Sequence, residues 1–365
     1  MKYKEMLFFV AKCLTINHEE NNLKLVSEAI ISKTIDWDEV VKVSTAHYVF
    51  PALYCNLQRA ELLSYLPEDL VSYMKHITDL NRERNLQIIE QAKEINETLT
   101  SNGITPIFLK GTAFLLQKMY DDAAERMVGD IDFIVSKDEY QKTIKVLREM
   151  NYSDVIEMNY HFPSFKHYQR IQREDKTAAV EIHKQMIREE YADEFNYETI
   201  IKNSLSKNNL SFLGYEDQVA LTMIAYQIND SGQYLNTMSL RNAYDVFLLS
   251  RKTDTLQSIK EFNKLFDPLN SFLAVCEEIF SSSISFKKNE TTEKSLAVFE
   301  KIMTDDNFRK SHSKKWNRKL FIRQRFDIIS KAIFRNDYRI WLFKRLTDKT
   351  WYQEKMIQLG IKTTS

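Results

Sequence analysis

The residues best placed to do chemistry lie in Gly129-Asp130-Ile131-Asp132-Phe133-Ile134-Val135. In a strand, side chains alternate between faces, so Asp130 and Asp132 project together while Ile131 and Phe133 point the other way. Two adjacent carboxylates repel and raise each other's pKa unless a cation lies between them. Magnesium answers that need, because it takes carboxylate and phosphate oxygens together. By itself the pair is weak evidence, since exposed strand ends often carry acids. Two flanking elements strengthen it. Upstream, Phe108-Leu109-Lys110-Gly111-Thr112 closes a strand and opens a helix. A glycine there lets a phosphate approach the backbone, and the helix start presents free N–H groups to it. Downstream, Val180-Glu181-Ile182-His183 offers a third acid on a strand, with His183 on the same face as a packing or supporting residue.

The surrounding pattern says what must hold these residues. Glycine and proline are scarce, six and five in 365 residues, yet Gly103, Gly111 and Gly129 fall in one short segment. Residues 1–103 read as helices. Pro67, Glu68 and Asp69 make a helix start with acids at its positive end. Leu70, Met74, Ile77, Leu86, Ile89, Ala92 and Leu99 follow helical spacing, and Ser101-Asn102-Gly103 ends the helix. The period then changes. Residues 104–109 and 131–135 read as strands, 112–120 and 137–150 as helices, and 165–171 and 178–183 as two strands around the turn 173–176. The expectation is an α+β protein, with a small mixed-sheet core at 104–187 between helical regions at 1–103 and 188–365.

Bulk properties exclude several classes. An apolar fraction of 44% and a charged fraction of 28% suit a globular chain and exclude disorder. Lys+Arg and Asp+Glu are both 51, but residues 308–350 carry 14 Lys/Arg against three Asp and no Glu. The remainder is correspondingly acidic. Aromatics interleave with those cations, an arrangement that could grip nucleic acid. Buried aromatics beside a solvated basic face weigh more, so nucleic acid is not favoured as a partner. Cys13, Cys55 and Cys276 lie far apart and read as buried free thiols of a reducing compartment. No apolar run reaches the roughly 18 residues of a membrane span, and the N-terminus reads as an amphipathic helix. The expected location is cytoplasmic.

The order strand–LKGT–helix, then RMVGDIDFIV, then VEIH resembles the nucleotidyltransferase superfamily of the DNA polymerase β type. More narrowly it is similar to an uncharacterised bacterial nucleotidyltransferase family. The match is detailed over residues 104–184 and extends loosely to Ala46-His47 and to Arg241 with Asp245. The resemblance implies a role for each matching position. Gly111 and Thr112 would cradle nucleotide phosphates, with threonine where serine or glycine is usual. Asp130 and Asp132 would hold Mg²⁺, and Glu181 would share a metal and help deprotonate an acceptor. Lys110 and Arg126 would meet the triphosphate, or Arg126 would orient Asp130 or Asp132. The implied reaction moves a nucleoside monophosphate from an NTP to an acceptor that the sequence does not name. The alternatives are a catalytically degenerate interaction module of the same fold, or an RNA-directed, toxin-like transferase that uses the basic tail.

Overall fold

The computed structural model describes residues 3–155, 160, 162–164, 166–282 and 284–358. The chain divides into two compact units, Met1–Val155 with Lys166–Lys310, and Ile156–Phe165 with Ser311–Ser365.

In the first unit, four short helices lead in: α1 (Tyr3–Thr15), α2 (Glu20–Ile31), α3 (Trp37–Ala46) and α4 (Phe50–Arg59). The long α5 (Glu68–Ser101) follows and ends at Asn102, with Gly103 at φ 68° supplying the left-handed turn. Then come β1 (Ile107–Phe108), α6 (Lys110–Gln117), β2 (Asp130–Ile134), α7 (Tyr140–Glu149), β3 (Ser153–Asp154), β4 (Ile171–Gln172) and β5 (Ala179–His183). Of the strand expected at 165–171, His167 makes an isolated bridge to His183 and Ile171 opens β4; its first residue, Phe165, lies outside the described residues, as does His161.

Two further strands lie within the stretch expected to be helical. After α8 (Tyr197–Ile200), β6 (Leu205–Lys207) and β7 (Leu210–Phe212) form a hairpin. Its turn residues Asn208 and Asn209 both take positive φ, 52° and 61°, the geometry of a tight two-residue hairpin turn. The result is one mixed sheet in the order β3-β4-β5-β2-β1-β7-β6. The helices α9 (Tyr215–Ile224), α10 (Gly232–Leu235), α11 (Leu240–Ser250), α12 (Phe266–Phe280) and α13 (Glu290–Thr304) complete the unit. The second unit holds most of α14 (Asp306–Phe334), with α15 (Asn336–Thr347) and α16 (Lys349–Gln358). Among the described residues, no helix is long and apolar enough to cross a membrane. Cys13, Cys55 and Cys276 are free and buried.

One face of the sheet packs Phe108, Ile131, Phe133, Val180 and Ile182 against Ile88, Ala92, Ile95 and Leu99 of α5 and Val146 and Leu147 of α7. The buried face of α5 is not purely apolar. Asn81, Asn85, Gln91 and Asn96 lie inside it, whereas Leu86 is 51% exposed. Buried loop carbonyls need donors, and these amides supply them. Asn81 donates to the Ala124 carbonyl (2.6 Å), and Asn85 to those of Ala123 and Arg126 (2.6 and 2.7 Å). Gln91 donates to Ala178 (2.8 Å) and Asn96 to Asn209 (3.0 Å). Helix α5 is thus the spine that fixes the irregular chain before β2, the entry to β5 and the β6–β7 turn.

Candidate functional site

Strand β1 ends at Phe108, and one more backbone bond, Leu109 N–H to the Asp132 carbonyl (2.9 Å), continues its pairing with β2. The chain then turns into α6, with Lys110 held at φ 50°, a left-handed conformation uncommon outside glycine. Beyond that turn, a side chain takes over from the strand. The Thr112 hydroxyl donates to the Asp130 carbonyl (3.1 Å) and accepts from the Asp132 N–H (3.2 Å). It thereby fixes the backbone between the two aspartates. Gly111 is needed for the same close approach, because a Cβ there would lie 2.9 Å from Val128 Cγ2. Thr112→Val is expected to leave the buried Asp132 N–H unsatisfied and to cost about 1–3 kcal/mol by urea denaturation. Thr112→Ser should keep most of that stability; equal loss in both variants would assign the effect to the methyl group.

Strands β2 and β5 run parallel with Asp132 opposite Glu181 and Ile134 opposite His183. Alternation then puts Asp130, Asp132, Glu181 and His183 on one face. Asp132, Glu181 and His183 each offer a ligand atom, and all three atoms lie within 4.8 Å of one another. Basic side chains surround them. Lys110 Nζ lies 2.6 Å from Asp132 Oδ1 and 3.4 Å from His183 Nε2. Arg170 bridges Asp130 (2.7 Å) and Glu181 (3.1 Å), and His167 Nε2 lies 3.6 Å from Glu181.

Electrostatics follow from this packing. Burial alone would raise the Asp132 carboxyl, but Lys110 and His183 outweigh it and hold the group well below the usual carboxylate range. Asp130 is shifted the other way, raised by burial, with Arg170 opposing. Burial, with Lys110 adding, lowers His183 and favours the neutral ring. Both ring nitrogens face groups that can only accept, Nδ1 the Gln185 carbonyl (3.1 Å) and Nε2 Asp132 Oδ1 (2.8 Å). The single proton of a neutral ring serves the nearer, charged one, so Nε2–H donates to Asp132. The Lys110 ammonium donates to the same carboxylate oxygen. Lys166 borders the same cluster, and burial, with the charge of Lys110, pushes it down to about 8.

A dication fits this donor set. Two carboxylates and a neutral imidazole, whose Nδ1–H the Gln185 carbonyl would accept once a cation takes Nε2, make a common metal-binding combination. The imidazole suits Mn²⁺ or Zn²⁺ at least as well as Mg²⁺.

The expected site residues fall into two groups. Lys110, Asp130, Asp132 and Glu181 converge on one face, and Gly111 and Thr112 are buried. Arg126 does not orient either aspartate. Its Nε and Nη2 pair with both oxygens of Asp245 (2.9 and 2.8 Å), and Nη1 donates to the Met127 carbonyl (2.8 Å). The Tyr120 hydroxyl bonds Asp245 as well. A guanidinium so buried and so fully paired supports the fold around β2. Arg170 and Lys166 were not anticipated. Both lie in the stretch before β4, where the alternation Lys166, Tyr168, Arg170 was a readable cue.

A model of the family described as uncharacterised nucleotidyltransferase matches residues 33–281, more than half of the chain. No curated protein and no solved structure matches the chain. The matched span holds the LKGT turn, the β2 aspartates, the Glu181–His183 pair and the Arg126–Asp245 pair, and the chain belongs to this uncharacterised nucleotidyltransferase family.

Proposed function

We propose that the chain is a metal-dependent nucleotidyltransferase that moves a nucleoside monophosphate from an NTP to an acceptor hydroxyl, releasing pyrophosphate. The observation that carries this reading is the pairing of Asp132 with Glu181 across parallel strands, beside the start of α6. Asp132, Glu181 and His183 would hold a divalent cation, with Asp130 joining once Arg170 releases it. When bound, the cation would neutralise phosphate charge during an in-line displacement. Glu181 would accept the acceptor's proton. Lys110 and the first backbone N–H groups of α6 would face the phosphates. Arg170, half exposed, can swing from the carboxylates to a phosphate oxygen, and Lys166 can add a second charge. Catalysis would then rest on positioning and charge neutralisation. The NTP is the implied co-substrate; Mg²⁺ and Mn²⁺ are the cations to test first.

One observation favours a second reading. Asp130, Asp132 and Glu181 already have protein cations as partners, which is what a degenerate module that no longer binds metal would show. Thermal unfolding with each NTP, with and without Mg²⁺ or Mn²⁺, separates the two. Stabilisation that requires nucleotide and metal together, and that disappears in Asp130→Ala/Asp132→Ala, supports the transferase. If wild type and variant respond alike, the carboxylates are structural and the module reading replaces it.

A further inference from the structure

The second unit carries apolar surface that its own small core does not use. That core centres on Tyr338, against which Phe162 packs at 5.6 Å, with Trp341 4.9 Å from Phe162. From α14 only Ala332 is buried. Ile322, Phe326, Ile329 and Ile333 lie elsewhere on α14, at spacings of four, three and four residues, and so form one stripe. They are strongly exposed, Phe326 at 74% and Ile333 at 64%. On α15, Ile340, Phe343 and Leu346 are also exposed. Arg318, Lys319, Arg323 and Arg325 flank the stripe in sequence, within the segment that carries 14 basic residues against three acidic ones.

Such a surface is too apolar to be an ordinary solvated face, and its composition selects among occupants. Nucleic acid would neutralise the cations but leave four isoleucines in water, since aliphatic side chains cannot stack on bases as aromatics do. A second copy would cover the stripe but would bring two strongly basic segments together. An anionic phospholipid surface satisfies both features, with headgroups for the cations and the acyl boundary for the stripe. Neither helix is long and apolar enough to cross a bilayer, which leaves them lying in its interface.

We propose that α14 and α15 dock the protein on an anionic phospholipid surface, with Ile322, Phe326, Ile329 and Ile333 inserted and the adjacent arginines and lysines on the headgroups. The proposal is independent of the nucleotidyltransferase reading. Its test is co-sedimentation of the full chain with phosphatidylglycerol/phosphatidylcholine vesicles and with phosphatidylcholine vesicles alone. The expected result is binding to the anionic vesicles at least about tenfold tighter than to the neutral ones, weakened by salt. Phe326→Asp/Ile333→Asp should abolish binding while thermal unfolding and circular dichroism stay as in wild type. Arg318→Glu/Arg325→Glu should weaken it for the anionic vesicles only. Unchanged binding by the aspartate variant would overturn the proposal. So would equal binding to neutral vesicles, or no binding by wild type. A wild-type dimer that the aspartate variant dissociates, or RNA that displaces the protein from vesicles, would instead assign the face to a second copy or to nucleic acid.

Discussion

Asp132→Asn is expected to eliminate metal-dependent nucleotide binding and to lower any transfer activity by on the order of 10²–10³-fold or more. The asparagine keeps the shape of the side chain but removes the charge that faces Lys110, His183 and the proposed cation. The same substitution strips Lys110 of its partner. The Lys110 side chain is 30% accessible and that of Asp132 11%, so the stability cost should be about 1–3 kcal/mol, below that of a fully buried pair. Stability and function can therefore be separated. Lys110→Met/Asp132→Asn removes both charges and should recover most of the lost stability by urea denaturation, yet it should still fail to bind Mn²⁺ in a calorimetric titration. If Asp132→Asn binds Mn²⁺ and nucleotide as wild type does, Asp132 is only the counter-ion of Lys110, and the metal site is refuted.

Why that aspartate could be picked out in advance, and its neighbours only in part, has a physical basis. Alternation along a strand is a local property, so the shared face of Asp130 and Asp132 was legible from seven residues. The glycine-bounded strand before LKGT and the long helix from Pro67 were legible for similar reasons. Register between strands is not local. Nothing in VEIH says that Glu181 lies opposite Asp132 and not opposite Asp130, and the observed register sets Glu181 beside Asp132 and leaves Asp130, opposite Ala179, to Arg170. Helix periodicity misled at Leu86, which is exposed, because it counts apolar residues alone. The inward face of α5 at that level is Asn81 and Asn85, polar because the loop they bind is irregular and its carbonyls need donors. The β6–β7 hairpin could have been found from Asn208-Asn209 between short alternating segments, a turn signal that a mostly helical expectation passed over.

The largest stability effect is expected from Asp245→Ala. Its carboxylate is 1% accessible and that of its partner, the Arg126 guanidinium, 8%. Removing the acid leaves a buried cation with no counter-charge and takes the partner from the Tyr120 hydroxyl. Breaking a buried pair from one side costs about 3–5 kcal/mol, enough to take much of the stability of a typical domain, and a soluble yield well below wild type should accompany it. Because α6 and the chain entering β2 meet at Arg126, the damage would reach the carboxylate face indirectly. Arg126→Met/Asp245→Leu tests this, since replacing both charges with apolar side chains of similar size often restores stability. The double variant should unfold within about 1–2 kcal/mol of wild type in urea and should keep its metal-dependent nucleotide response. Stability restored with that response lost would mean that Arg126 reaches the triphosphate after all, as the resemblance alone implied. The buried pair would then have to open when nucleotide binds.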